Sequence, residues 1–213
     1  MCSIRVMGRS RAESTRVGTA FSREASLREI TPLLWLSQSS LVILLALCLA
    51  LLPSVMRNNG GASNFGDGFP TVIPYSLGFA LSATFLSIAA SKLSKLPGRA
   101  GKLAPLLAAL AALELLVLVT TFDRKANHIY YLTHDYIGVA MFLYEFALSA
   151  WVTAKSRSYM AALFLAVGSA GSLLGMLSLL GIASLLFVGQ ITGAIGFGLV
   201  ICTGFLAAVE HLE

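Results

Sequence analysis

The feature that most constrains this chain is a series of six apolar stretches, each long enough to cross a lipid bilayer. A membrane-spanning helix needs roughly 20 predominantly apolar residues. The stretches lie near 33–53, 71–91, 103–122, 132–153, 159–181 and 185–208. Because lipid offers the backbone no hydrogen-bond partner, such segments form helices rather than open strands. The sequence therefore predicts an all-α fold, a polytopic membrane protein built as a six-transmembrane-helix bundle.

Composition agrees with a membrane protein and argues against several other classes. Of 213 residues, 57% are hydrophobic and 12% are charged, whereas soluble domains carry about 25% charged residues. A water-soluble enzyme, a disordered chain and a nucleic-acid-binding domain are all poor interpretations, so no nucleic acid is expected as a partner. The three cysteines are far apart and form no CxxC pair. We therefore expect no disulfide framework, no metal site and no cofactor.

The distribution of Lys and Arg predicts the orientation of the bundle. Twelve of the 15 basic residues fall in the N-terminal tail and in the second-to-third and fourth-to-fifth connections. Cytoplasmic loops carry an excess of Lys and Arg, so both termini are predicted to be cytoplasmic. Residues 1–31 are expected to form a basic tail, flexible or a short surface helix, followed by the transmembrane domain at 32–209 and a short cytoplasmic end at 210–213. In a bacterium the membrane would be the plasma (inner) membrane.

Three polar residues within the spans are candidates for function. Placing a charge at mid-membrane costs roughly 2.5–3.5 kcal/mol, and Glu114 and Glu145 lie in the third and fourth spans. Consecutive spans usually pack as neighbours, so the two carboxyl groups are expected at similar depth. They could share a proton, bind a cation or protonated substrate, or each be protonated and hydrogen-bonded structurally to Ser, Thr or Tyr on a neighbouring helix. Gln190, in the sixth span, could hydrogen-bond across the helix seam or face a pore.

A second set of candidates forms an outer polar rim. His134, Met141 and Glu145 recur at helical spacing on one face of the fourth span, which predicts a polar track from the outer surface to Glu145. The rim could bind a headgroup or substrate, with His134 as a general base in an enzyme. The alternative is an ordinary helix terminus with interfacial tyrosines. The rim comprises Asp67, Asp123, Arg124, Asn127, His128, His134, Asp135 and Tyr136.

Glycines in the fifth and sixth spans predict close helix packing. The motif G-x-x-x-G occurs at Gly171 and Gly175 and again at Gly189 and Gly193. Small residues at this spacing let helix backbones approach closely. A short turn joins the two spans, so they should form an antiparallel hairpin. The glycine faces could form a tight seam within one chain, or a homodimer contact.

Several of these features together resemble a broad group of six-span membrane proteins. They are the six-span layout with inside termini, the outer residues 64–67 (Asn-Phe-Gly-Asp), and 121–123 (Thr-Phe-Asp) followed by His134 and Gly138. The group includes the damage-regulated autophagy modulators and uncharacterised bacterial relatives. The resemblance implies a membrane protein without established enzymatic chemistry, acting on lipid organisation or as an accessory.

The motifs of known catalytic families are missing from the sequence. There is no G-x-S-x-G, no H-E-x-x-H and no Walker loop, which argues against an enzyme. The first hypothesis is an integral membrane protein that binds lipid or a partner membrane protein as an accessory or organising factor. One alternative is a small proton- or cation-coupled transporter using Glu114 and Glu145. Another is a membrane enzyme acting on a lipid headgroup at the outer rim.

Overall fold

The computed structural model describes residues 6–122 and 128–211, with side chains described from residue 28 onward. Its helices are α1 Val6–Leu51, α2 Ser54–Arg57, α3 Val72–Ser94, α4 Ala104–Thr121, α5 His128–Ser156, α6 Tyr159–Leu179 and α7 Leu186–Glu210. Short 3₁₀ helices at Ala62–Asp67 and Gly101–Leu103 precede α3 and α4. The described chain contains no strand, so the all-α fold predicted from the sequence is confirmed.

Six helical segments are long and apolar enough to cross a membrane. They are Arg28–Leu51, Val72–Ser94, Gly101–Thr121, His128–Ser156, Tyr159–Leu179 and Leu186–Glu210. These segments confirm the predicted number of spans and identify an integral, multi-pass membrane protein. Two boundaries differ from the prediction. The fourth span begins at His128 rather than near 132, and the first is continuous with a helix that begins at Val6, which places Pro32 inside α1.

Five of the long helices form a ring, and the sixth packs against its outside. Around the ring α1 contacts α3, α3 contacts α4, α4 contacts α5, α5 contacts α7, and α7 closes on α1. Helix α6 packs mainly on α7 and less extensively on α5. Helix α7 is accordingly the most enclosed span, with 56% of its apolar window buried against 22% for α6. The interior of the ring is where buried polar side chains can meet.

The apolar core divides into two clusters along the length of the bundle. We call the end that bears residues 92–102 the basic end, and the end that bears residues 54–70 the outer end. The basic-end cluster is made of buried side chains that include Leu34, Leu86, Leu110, Leu148 and Phe205. The outer cluster includes Leu41, Phe65, Phe79, Val117 and Met141. The level between the two clusters is occupied by polar groups.

Helices α6 and α7 meet backbone to backbone along a line of glycines. A Cβ atom added to Gly189 would lie 2.3 Å from the backbone nitrogen of Gly175, and one added to Gly171 would lie 2.4 Å from that of Gly193. No side chain larger than hydrogen fits at such distances. All four glycines of the two G-x-x-x-G motifs therefore lie in a contact within one chain. A homodimer through the same faces stays a prediction.

The glycine contact gives a matched test of packing. We expect Gly189→Ala to destabilise the protein by about 1–3 kcal/mol, as overpacking of a well-packed interior does, because the added methyl group would meet backbone atoms that cannot turn away. Gly175→Ala is the control, since its Cβ would lie 3.7 Å from the nearest atom. Reversible unfolding in mixed detergent micelles measures both, and equal stability of the two variants would contradict the seam.

The orientation of the termini can be tested with single cysteines. In a Cys2→Ser background the remaining cysteines, Cys48 and Cys202, are buried and should not react. Asn58→Cys and Lys95→Cys place an exposed thiol at the outer end and at the basic end. If the termini are cytoplasmic, a membrane-impermeant maleimide labels Asn58→Cys in intact cells and Lys95→Cys only after permeabilisation. The reverse pattern would show the opposite topology.

Candidate functional site

A chain of hydrogen bonds links three helices to one buried carboxyl group. Glu114 on α4 is 1% exposed, and Ser37 on α1 and Ser82 on α3 are fully buried. The Ser82 hydroxyl donates to Glu114 Oε1 over 3.0 Å, and the Ser37 and Ser82 hydroxyl oxygens lie 2.8 Å apart. A serine hydroxyl has one proton to donate. Ser82 therefore accepts from Ser37 while it donates to the glutamate.

A second carboxyl group faces the same interior from α5. Glu145 is 5% exposed, α5 packs against α4, and the two carboxyl groups are close enough for a direct electrostatic interaction. In each glutamate the oxygen Oε2 is buried and has no hydrogen-bond partner among the described residues. We call Glu114 and Glu145 the acidic pair. Together with Ser37 and Ser82 it forms a polar layer across the middle of the bundle.

Apolar side chains border the polar layer on its outer side. Phe79, Val117 and Met141 are buried one helical turn outward from Ser82, Glu114 and Glu145. On α1, Leu41 occupies the corresponding position relative to Ser37. The acidic pair is therefore separated from the outer end by a ring of packed apolar groups.

The basic side of the polar layer is bordered in the same way. Leu86 and Leu148 are buried one turn toward the basic end from Ser82 and Glu145, and Leu110 lies one turn from Glu114 on that side. Leu34 completes the set on α1. Described apolar side chains therefore border the polar layer on its basic side as well as on its outer side.

A separate polar cluster lies nearer the outer end. The Thr120 hydroxyl is 3.2 Å from His134 Nδ1, and the Thr121 hydroxyl is 3.5 Å from the same atom and 3.0 Å from the Tyr75 hydroxyl. All four side chains are buried. Thr121 is seven residues beyond Glu114, about 10 Å at the helical rise of about 1.5 Å per residue. His134 and Glu145 do share the buried face of α5, but the apolar side chain of Met141 lies between them.

The other rim residues that the structure describes on α5 face away from the interior of the bundle. His128, Asp135 and Tyr136 are exposed on α5, and Asp67 is half-buried at the end of a 3₁₀ helix. Successive helical residues point about 100° apart, so Asp135 lies on the lipid-facing or aqueous side while His134 faces inward. The remaining rim residues, which lie outside the described part of the chain, are Asp123, Arg124 and Asn127.

The connection between α1 and α3 folds over the outer end of the bundle as a cap. Asn59 Oδ1 accepts from the backbone N–H of Leu186 over 3.0 Å, at the start of α7. Gln190 Oε1 accepts from the backbone N–H of Ala62 over 2.7 Å. The Phe65 ring is fully buried and meets Phe187 edge to face at 5.4 Å. The side-chain oxygen of Gln190 thus bonds to this cap.

Comparison with known proteins gives no match. No protein-family model, no curated protein and no solved structure is similar to the chain.

The sequence does not indicate which serine and threonine hydroxyl groups meet in the two polar groups. Serine and threonine are common in membrane helices, where they bond to the backbone of the preceding turn, as Thr84 does here with Ala80. Only the rotation of each helix shows which hydroxyls face inward. Among the described residues, no three His, Cys, Asp or Glu side chains lie close enough together to hold a metal ion. The acidic pair is the strongest candidate site.

The cap makes a prediction about local stability. Gln190→Leu removes an acceptor worth about 1 kcal/mol, so backbone amides near Ala62 should exchange with deuterium about fivefold faster. Gln190→Glu keeps an oxygen in the same place and is the matched control. Hydrogen exchange read by mass spectrometry measures both variants. Unchanged exchange in Gln190→Leu would show that this bond does not hold the cap.

Proposed function

We propose that this integral membrane protein handles protons or small cations at the acidic pair, in the manner of a small coupled transporter. The observation that supports the proposal is the burial of two neighbouring carboxyl groups in one polar layer, each with an oxygen that has no partner among the described residues. An ionisable residue inside a membrane bundle is by default a candidate for ion or proton movement.

The energetics of the polar layer support this proposal over a purely structural role. Buried polar groups that only hold helices together are normally satisfied by other protein groups. Here one oxygen of Glu114 is bonded to Ser82, and the second oxygen of each glutamate is unpaired within the described structure. Two negative charges at this depth would also repel strongly in a low dielectric. A proton or a cation would satisfy the free oxygens and remove the repulsion.

The donor set favours a proton over a divalent metal ion. Calcium takes about 6–8 oxygen ligands, whereas the polar layer offers two carboxyl groups and two serine hydroxyls. The serine chain can also transfer a proton, because each hydroxyl both donates and accepts. If a proton reaches the Glu114 oxygen that now accepts from Ser82, the donor direction along Ser82 and Ser37 reverses. The two serine hydroxyl groups thus connect the acidic pair to α1 by hydrogen bonds.

The apolar side chains on the two sides of the polar layer would have to move during the proposed transport cycle. Packed apolar side chains border the acidic pair on both sides, and in the proposed cycle this arrangement would be the occluded state. Movement of a proton across the membrane would require the outer and basic-end layers to open in turn, as in alternating access. Opening of the outer layer would lead toward His134 and its threonine partners.

An accessory protein that binds lipid or a partner membrane protein is the second candidate. A different surface supports it: α6 leaves large apolar side chains exposed along one side, among them Leu173, Met176 and Leu179. The resemblance to the six-span group that includes the autophagy modulators stays a prediction and agrees with this candidate. Native mass spectrometry of gently extracted protein would test it, because a bound lipid or polypeptide adds a discrete mass.

The third hypothesis, an enzyme acting on lipid headgroups at the outer rim, gains no support from the geometry. His134 bonds to threonine hydroxyls, and the exposed Asp135 is turned away from it. The described residues thus bring no carboxylate to the imidazole ring from the neighbouring position. A catalytic role for His134 stays a prediction.

Conservative substitutions of the acidic pair test the proposal. In proteoliposomes under an imposed potential, the native protein should acidify the lumen, and Glu114→Gln or Glu145→Gln should slow this by about tenfold or more, because an amide cannot release a proton. Glu210→Gln, the same change at the exposed end of α7, is the control. A pH-sensitive dye in the lumen gives the rate.

Infrared spectroscopy separates proton binding from transport. A protonated buried carboxyl group has a carbonyl stretch distinct from that of a carboxylate, so the native protein should show a pH-dependent band that each glutamine variant reduces. If the glutamine variants lose the band but the native protein shows no proton flux, the acidic pair binds protons without transporting them. A spectrum unchanged by both substitutions, together with equal flux, would refute it.

A further inference from the structure

The hydrogen bonds around His134 determine which of its ring nitrogens carries a proton. The Thr120 hydroxyl lies 2.7 Å from the backbone oxygen of Leu116 and 3.2 Å from His134 Nδ1. A carbonyl oxygen can only accept, and a hydroxyl has one proton to donate. Thr120 therefore donates to its own helix and accepts from His134. The imidazole ring is held with a proton on Nδ1.

The second threonine of the cluster repeats this arrangement. Thr121 Oγ1 lies 2.8 Å from the backbone oxygen of Val117, 3.5 Å from His134 Nδ1 and 3.0 Å from the Tyr75 hydroxyl. Its one proton goes to the carbonyl oxygen, so the imidazole and the phenol both donate to it. The neutral ring consequently has its lone pair on Nε2. This nitrogen is the one that can take up and release a proton.

The buried His134 lies between the cap and the acidic pair. Gly66 of the cap packs against the ring of Tyr75, so that an added Cβ atom would lie 3.0 Å from a ring carbon. On α5, the buried Met141 stands between His134 and Glu145. These two residues are 11 positions apart, which is about 16 Å at a rise of about 1.5 Å per residue. A proton that enters past the cap would therefore meet His134 before the acidic pair.

Few other titratable groups of the described chain face His134. Tyr75 faces the cluster from α3, and Asp67 is half-buried where the cap ends. The helices packed against α5 bring no titratable side chain to this level, in residues 115–122 of α4, 170–179 of α6 and 186–197 of α7. The nearby titratable side chains of α5 itself are all exposed, namely His128, Tyr130, Tyr131, Asp135 and Tyr136. Among the described residues, the buried carboxyl groups are those of the acidic pair, so they are the acceptors available to a proton held at His134.

We propose that His134 is the outer proton relay of the acidic pair, taking up a proton at Nε2 and releasing it inward. The inference rests on the proposed function, since it supplies the outer step of proton movement. A proton from the outer aqueous phase binds the Nε2 lone pair and gives an imidazolium, which still donates Nδ1–H to Thr120. When the outer apolar layer opens and admits water, the Nε2 proton passes through water molecules to a carboxylate oxygen of the acidic pair. The ring then returns to its neutral form with the proton on Nδ1.

Nitrogen NMR of the histidine ring tests where the protons are. The chain has three histidines, and His128 and His211 are exposed. Replacing both with Gln leaves His134 as the single histidine in isotope-labelled protein reconstituted in lipid nanodiscs. We expect Nδ1 to stay protonated over the pH range of the flux assay, while Nε2 loses its proton as the pH rises. A histidine that only donates through Nδ1 would show no such change at Nε2.

A threonine substitution tests what holds the proton on Nδ1. Thr120→Val keeps the shape of the side chain but removes an acceptor, so the ratio of Nδ1–H to Nε2–H in the neutral ring should fall by about fivefold, as loss of one hydrogen bond predicts. Thr84→Val is the matched control, because the exposed Thr84 hydroxyl donates to Ala80 on its own helix in the same way. The control should leave the ratio unchanged.

Proton flux separates the relay from the proposed function itself. In the proteoliposome assay we expect His134→Gln to slow acidification of the lumen by about tenfold or more, since an amide cannot carry the proton. The pH-dependent infrared band of the acidic pair should remain in this variant, because both carboxyl groups are still present. His128→Gln, on the exposed side of the same helix, is the control and should keep the native flux.

Three results would overturn the relay. An unprotonated Nδ1, or an Nε2 that does not change with pH, would show a histidine with a structural role alone. Equal flux in the native protein and in His134→Gln, with flux lost in Glu145→Gln, would remove the relay and leave the proposed function standing. Absence of flux in the native protein would remove both. If His134→Gln does not elute as a single folded species, the NMR result on the His134 side chain decides.

Discussion

The backbone of a membrane protein has no water to bond with in the hydrocarbon core, and this constraint underlies the rest of the structure. It requires each span to be a continuous helix, but it does not specify how the helices associate, because lipid tails are as apolar as leucine. Association then depends on close contact and on polar groups that avoid lipid. Both are present here: glycine backbones meet between α6 and α7, and hydroxyl groups bond to a carboxyl group across α1, α3 and α4.

These two kinds of contact lie in different parts of the bundle. The glycine seam joins α6 to α7, whereas the polar layer lies among α1, α3, α4 and α5. In the seam the backbones of Gly171 and Gly189 contact the opposite helix so closely that no side chain larger than hydrogen fits at these two positions. The polar layer is bordered by leucine, methionine, valine and phenylalanine side chains, which can change rotamer. If the acidic pair exchanges protons, the helices around the polar layer are the ones that must move.

The sequence predicted part of the candidate site and missed the rest for a physical reason. Glu114 and Glu145 can be recognised from the sequence because a charged carboxyl group within a span costs free energy whichever way the helix is rotated. Ser82 does not stand out, since a serine can satisfy its hydroxyl on its own helix. The residues of the outer rim lie close together along the chain, but a helix distributes neighbouring residues around its axis. His134 therefore faces the threonines of α4 while Asp135 and Tyr136 face outward.

The sequence by itself determined the class of protein, the number of spans and the presence of two acids within them. Span length and hydropathy are local properties set by the thickness of the bilayer, so they can be read one segment at a time. Only the tertiary structure decided which glycines touch, that Gln190 bonds to the cap, and that Ser37 and Ser82 lead to Glu114. These contacts depend on the rotation of each helix about its axis. When lipid and protein interior are equally apolar, the hydropathy of a span does not specify that rotation.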